Sequence, residues 1–299
     1  MKEETAQNIG PSRIEMVYQR LGDPTSPPVF LIMGGGAQMI AWPDGFCAEL
    51  VNQGLQLIRF DNRDTGLSTH FSNAPMPNLP AAKAGDFSSV AYTLSDMAAD
   101  TVGLMDALGF ESVHLVGASM GGMIAQTIAI EYPTRVRSLT SMMSTTGNPT
   151  VGQPDYGVLA SLGAPPSDDR QGAIDWQVKA LRVIGSTKYP FDAIAAAETA
   201  GRAWDRDHDP LGMLRQAVAV LKSGDRTELL HTLHVPTLVI HGTDDKMMDV
   251  SGGKATAKAI PGAELVLFEG MGHNFPKPLW TEFASRIAGL IHRVEVSVM

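Results

Sequence analysis

The sequence predicts an α/β fold, a mostly parallel sheet covered by helices on both faces and interrupted by a helical insertion. Three observations carry this. Between Val29 and Met142, short β-branched runs alternate with stretches of 3.6-residue apolar period, the pattern of parallel crossover units. From Ser144 to Thr232 the alternation gives way to Gly, Pro and Asp clusters mixed with helical patches, and no convincing strand appears. At Val235 the strand-helix rhythm resumes and continues to the last helix. The expected organisation is therefore a core of residues 1–143 and 233–299 around a helical cap of 144–232.

Taken in order, Ile14 to Gln19 and Val29 to Met33 read as early strands, with the turn-rich LGDPTSPP between them suited to a hairpin-like entry. Three glycines follow Met33, and Gly34 to Gly36 free backbone N–H groups to approach a ligand. Pro43 opens a helix whose apolar side is Phe46, Leu50 and Val51, and Gly54 closes it. Cys47 shares that face and reads as core packing, since the 299 residues hold a single cysteine and no internal disulfide. Gln56 to Phe60 is the next strand and runs into DNRDTGLS, where Asp61, Arg63 and Asp64 read as hydrogen-bonding the loop's own backbone. Thr69 to Leu94 is a long Pro- and Ala-rich loop expected to border a site. Ser95 is the expected cap of a helix that ends at Gly109.

The strand Val113 to Val116 then turns into a helix through Gly117-Ala118-Ser119-Met120-Gly121. A G-x-S-x-G at a strand-to-helix corner exposes a serine on a strained backbone, with glycines where the two segments pass closely. Ser119 is thus the candidate nucleophile. Val136 to Met142 is a strand; helical patches follow at Ile174 to Ile184, Ala193 to Trp204 and Leu211 to Lys222. After the buried strand Val235 to Ile240 come HGTDDK, a helix near Gly253 to Ala259, the strand Ala263 to Phe268 and the loop EGMGHNFPKP. The final helix carries Leu279, Phe283, Ile287, Leu290 and Ile291 on one face.

A serine hydroxyl needs a base in hydrogen-bond reach and a third group to orient that base. On a doubly wound sheet the site lies at the carboxyl ends of the strands, so these groups should follow strands. Among eight histidines, His114 lies inside a strand, His231 and His234 precede one, and His292 falls on the polar face of the last helix. His70 and His208 lie in a loop and in the insertion, and His241 would sit beside the acid. His273 remains as the base. The loop after Ile240 offers Asp244, Asp245 and Asp249 as the acid, with Asp245 preferred and Asp244 its rival. The order Ser119, Asp245, His273 is the one expected with this elbow.

These residues resemble the α/β-hydrolase superfamily: GASMG at the elbow, MGGG at the glycine loop, HGTDD at the acid and GMGH at the base. In finer detail MGGGAQMIAWPDGF, RFDNRDTGLS and EGMGH resemble the branch of aclacinomycin methylesterase and many bacterial carboxylesterases and lactonases. The resemblance implies an eight-stranded sheet, the acid on Asp245, and oxyanion donors in the backbone N–H groups of Gly35 and Met120. Met33 stands where a His usually opens the loop, and Asp64 where a Gly is usual; that branch shares both departures. Gly36, Met39, Trp42, Met143 and Met248 are expected to line the substrate pocket and Met120, Met247 and Met271 also fall near it, with ordinary core filling expected for at least half of these methionines.

The implied reaction is hydrolysis of small carboxylic esters with broad specificity, through an acyl-enzyme on Ser119. Lactone opening and other acyl hydrolysis or peracid formation are the alternatives, and a non-catalytic ligand receptor is a further one. Epoxide and haloalkane hydrolysis would require an aspartate at the elbow. The net charge of -9 argues against nucleic acid, and no apolar segment reaches the length of a membrane span. A cytoplasmic protein acting on a small-molecule ester or lactone is expected. No metal-ligand spacing appears and no cofactor is called for.

Overall fold

Eight strands form a single sheet in the computed structural model, which describes residues 2–164 and 169–298. In chain order they are β1 (Glu4–Ile9), β2 (Ile14–Leu21), β3 (Pro28–Ile32), β4 (Gln56–Phe60), β5 (Val113–Ala118), β6 (Val136–Met142), β7 (Thr237–Gly242) and β8 (Glu264–Phe268). The spatial order is β1-β2-β4-β3-β5-β6-β7-β8, with β2 antiparallel to both neighbours and the remaining ladders parallel. The α-helices are α1 (Asp44–Asn52), α2 (Leu79–Lys83), α3 (Leu94–Ala107), α4 (Met120–Glu131), α5 (Tyr156–Ala160), α6 (Arg170–Ile184), α7 (Ala193–Arg206), α8 (Pro210–Ser223), α9 (Thr227–Leu230), α10 (Ser251–Ala259) and α11 (Trp280–Val298).

Strand alternation decides the layering. In β3, Phe30 and Ile32 join one hydrophobic core and Val29 and Leu31 the other. α3 and α4 cover the first with Leu104, Met105, Ile124 and Ile128, and α1 and α11 cover the second with Phe46, Leu50, Phe283 and Ile287. The central parallel strands β3 to β7 are thereby buried on both faces, whereas the edge strands β1 and β8 are largely exposed. Between β6 and β7 lie α5 to α9, with no strand among the described residues; residues 165–168 of the expected cap lie outside them.

β3 stands between β4 and β5, so the loops leaving β3 and β5 flank the crevice where the strand order reverses. Pairing of Ile32 with Gly117 brings the glycine loop beside Ser119.

Three local expectations are corrected. No hairpin joins β2 to β3, because β2 pairs with β1 and β4. β1 itself, ETAQNI, was not expected: it is an edge strand that buries Ala6 and Ile9 alone, with a bulge between them, so its apolar alternation is broken. α3 is capped by Thr93, which forms a reciprocal capping box with Asp96, and Ser95 lies inside the helix, its hydroxyl turned to Glu131. The long loop before α3 also contains the short helix α2.

Candidate active site

Ser119 links β5 to α4 with φ 56 and ψ -123, a backbone conformation that costs a non-glycine residue about 1–3 kcal/mol. The surroundings enforce it. Ser119 N donates to Met142 O at 2.9 Å, and its carbonyl accepts from Gly122 N at 2.9 Å and from Ser144 Oγ at 2.7 Å. The flanking glycines are obligatory for space: a Cβ on Gly117 would lie 2.2 Å from Gly121 O, and one on Gly121 would lie 2.0 Å from Ile32 O. The sequence pattern thus reports a real close approach.

The glycine loop lies against this turn. A Cβ on Gly34 would sit 3.0 Å from Ser119 Cβ and one on Gly35 3.8 Å from Met120 Sδ. Among the described residues the N–H of Gly35 donates to no protein acceptor, and that of Met120, in the first turn of α4, has no partner within the helix. Two free donors therefore flank Ser119.

His273 Nδ1 and Asp245 Oδ2 are 2.7 Å apart, and Asp245 Oδ1 accepts from Met247 N and Met248 N at 2.9 and 2.8 Å. Burial opposes charge on Asp245, but His273 and His241 outweigh it and bring the carboxyl down to about 2. The carboxylate is therefore ionised at neutral pH and fixes the proton of His273 on Nδ1, leaving Nε2 as acceptor. Ser119 Oγ and His273 Nε2 form no hydrogen bond with each other; such contacts commonly tighten when substrate is bound. His273 is held through its backbone, its N–H donating to Ile184 O at 2.8 Å.

The rival aspartates have other partners. Asp244 accepts from the hydroxyls of Thr187 and Thr243, which lower its pKa, and Asp249 caps the turn into α10 through Ser251 N. His241 is fully buried, with Nε2 donating to Met248 O at 2.8 Å, beside the acid as expected. His114, also buried, faces Ser138 and Glu295; burial takes its pKa down to about 4.

The DNRDTGLS loop is structural throughout. Asp61 accepts from Met39 N, Leu67 N and Arg206; Arg63 forms a two-point ion pair with Asp100; Asp64 forms one with Arg215 and accepts from Tyr92. Asp64 has φ 61, which explains why glycine suits its position. Asp64, His70 and Asp209 bring ligand-type atoms within 4.8 Å of one another, and Arg215 bridges the two carboxylates.

The expected pocket residues divide. Gly36 is exposed and Met248 is partly buried. Met39 and Trp42 have no accessible surface and Met143 has 2 %, and all three pack in the hydrophobic cores. Trp42 is wedged between Phe46 and Phe275. Large apolar side chains near a loop are as readily drawn into the adjoining core as into the site.

Sequence reasoning missed the contribution of the segment between β6 and β7. Gln216 of α8 accepts from Gly36 N at 2.7 Å, and Ser186, after α6, accepts from Gly272 N and bonds Asn274. The available signal was a polar residue on a buried helix face: Gly212, Arg215, Gln216 and Ala219 share one side of α8.

A family model described as the alpha/beta hydrolase fold matches residues 27–276. The chain belongs to the alpha/beta hydrolase fold family. It is similar to the rhodomycin D methylesterase DnrP of Streptomyces peucetius, with 28% identity over 89% of this chain and 91% of the relative. The DauP methylesterase of Streptomyces sp. (strain C5) is 26% identical over 93% of this chain and 95% of its own. Among solved structures, the esterase RhEst1 from Rhodococcus sp. ECU1013 superposes with a TM-score of 0.72 at 21% identity, covering 99% of both chains, a likeness of fold. No helix among the described residues is long and apolar enough to cross a membrane.

Proposed function

We propose that this hydrolase is a serine carboxylesterase of broad small-ester specificity, cleaving esters through an acyl-enzyme on Ser119. The observation that carries the reading is the convergence at Ser119. A strained serine stands beside two unpaired N–H donors, and the buried Asp245 with its partner His273 follows in the expected chain order. Similarity to methylesterases supports ester bonds as the target.

In this mechanism Ser119 Oγ attacks the ester carbonyl while His273 Nε2 takes its proton. Negative charge develops on the carbonyl oxygen and is met by the N–H groups of Gly35 and Met120, each such donor contributing about 2.7–4 kcal/mol. The tetrahedral intermediate collapses as His273 protonates the departing alcohol. Water then adds to the acyl group as His273 takes its proton, His273 returns that proton to Ser119 Oγ as the serine leaves, and the carboxylic acid is released. Asp245, ionised throughout, stabilises the imidazolium formed in each half. Helices of residues 144–232 act as a cap over this site.

p-Nitrophenyl acetate turnover tests the reading. Wild-type protein should hydrolyse it, Ser119→Ala should fall to background, and a fluorophosphonate should add one covalent group at Ser119 by mass spectrometry. Equal turnover by the variant and the wild type would remove the serine mechanism.

A further inference from the structure

Three successive glycines cannot hold their own conformation, because no Cβ limits their backbone angles. A preorganised donor nevertheless has to stay within a few tenths of an ångström of the developing oxyanion. The glycine loop must therefore be fixed from outside. Asn62 Nδ2 donates to Met33 O at 3.1 Å and Ala37 N to Gly34 O at 3.3 Å, which secure the loop at its base and across its turn. The peptide between Gly35 and Gly36 is secured by Gln216.

Gln216 is 1 % exposed and spends every side-chain bond within the protein. Its Oε1 accepts from Gly36 N at 2.7 Å, and its Nε2 donates to Arg63 O and to Thr65 Oγ1, both at 2.7 Å. The amide is thus pinned to the loop after β4 and cannot follow Gly36 if the glycine loop drifts. Met213, one turn earlier in α8, lies across Gly36, where a Cβ would be 2.9 Å from its Cγ. Gly36 N–H, the neighbouring donor that would otherwise compete with Gly35 for an oxyanion, is occupied.

We infer that Gln216, a residue of the segment between β6 and β7, is a positioning residue for the oxyanion hole: by holding Gly36 N–H it fixes the orientation of Gly35 and leaves Gly35 N–H as the donor. The inference rests on the serine esterase reading. It also gives α8 a role in the chemical step as well as in shaping the substrate site, because displacement of α8 would release the donor loop.

The test compares Gln216→Met, which keeps length and removes all three bonds, with Thr65→Val, which removes one of Gln216's own supports. Both are assayed on p-nitrophenyl acetate beside wild type and Ser119→Ala, with rates normalised to sites titrated by fluorophosphonate and folding checked by thermal melting. Gln216→Met should lose on the order of 10- to 100-fold in kcat with KM changed less than about twofold, as a misplaced donor predicts. Affinity for an aryl trifluoromethyl ketone, which forms a tetrahedral oxyanion on the serine, should fall by a similar factor. Thr65→Val should show the same pattern more weakly. Wild-type kcat and trifluoromethyl ketone affinity in folded Gln216→Met would overturn the inference while an inactive Ser119→Ala left the serine mechanism standing. A loss confined to KM, or to the titratable fraction of sites, would overturn it too. Full activity in Ser119→Ala would remove both.

Discussion

Two glycine-rich turns leave neighbouring strands at the same end of the sheet, after β3 and after β5, and they are held in opposite ways. The turn after β5 is fixed by backbone crowding: Gly117 and Gly121 allow close backbone contact, and Ser119 is clamped through its own N–H and carbonyl. The turn after β3 has no such crowding at Gly35 and depends on side chains from Asn62 and Gln216. The loop bearing His273 combines the two: a Cβ on Gly272 would lie 2.3 Å from the backbone of Gly185, and Ile184, Ser186 and Thr187 hydrogen-bond to the loop from outside the core. The turn of the candidate nucleophile is set by backbone contacts, some of them from β3 and β6, whereas the candidate donor loop is set by side chains from elsewhere in the chain.

The comparison is most directly broken at its glycines. Gly121→Ala should cost more than about 4 kcal/mol, since the new Cβ meets a backbone oxygen that has no rotamer to escape into. Loss of soluble protein or of a cooperative melting transition is the expected readout, and a melting curve like that of the wild type would show that the elbow is looser than its contacts imply.

Adjacent aspartates sharpen the same contrast. Asp245→Asn should lower kcat by about 10³- to 10⁴-fold, because an amide holds His273 in the wrong tautomer. Asp244→Asn should stay within about threefold, as its carboxylate bonds two threonine hydroxyls. Comparable losses in the two would show that the loop's shape, and not the Asp245–His273 bond, governs the base.

A smaller effect follows from the acid's ionisation. The folded pKa of Asp245 lies near 2, below the usual carboxyl value, so its charge stabilises the fold above about pH 4 and that contribution is lost as pH falls from there through 2. The slope from this group approaches about 1.4 kcal/mol per pH unit at most. Denaturant titrations between pH 2 and 5 should show a shallower acid loss in Asp245→Asn than in wild type, and parallel curves would assign the acid sensitivity to other carboxylates.

The smallest change is expected at the open turn. Gly35→Ala places its Cβ no closer than 3.8 Å to any atom, so unfolding free energy should stay within about 0.5 kcal/mol of wild type. A large drop in melting temperature would erase the difference between the two turns.

Much of the architecture was legible because it rests on local signals. The alternation of β-branched runs with helical periods marked six of the eight strands and the run Ile14 to Gln19 marked β2, while β1 escaped because two buried side chains separated by a bulge leave no period to read. The elbow was legible because backbone crowding admits only glycine at Gly117 and Gly121, and His273 stood out among the histidines because it lies in the loop directly after the last strand. Pocket-lining methionines were not legible, since an apolar side chain carries no mark of whether it faces a cavity or a core; Met39 and Met143 went to the cores.

The sequence by itself therefore determined the strand-helix rhythm, the position of Ser119 and the glycines that shape its turn, all of which leave a pattern of residue types within a short stretch of chain. Tertiary structure decided which aspartate meets His273, which backbone donors remain unpaired, and that Gln216, some 180 residues downstream, secures Gly36. The reason is physical: a backbone contact that leaves no room for a Cβ writes a glycine into the sequence wherever its partner comes from, whereas a hydrogen bond across the fold needs only one compatible atom at the right place.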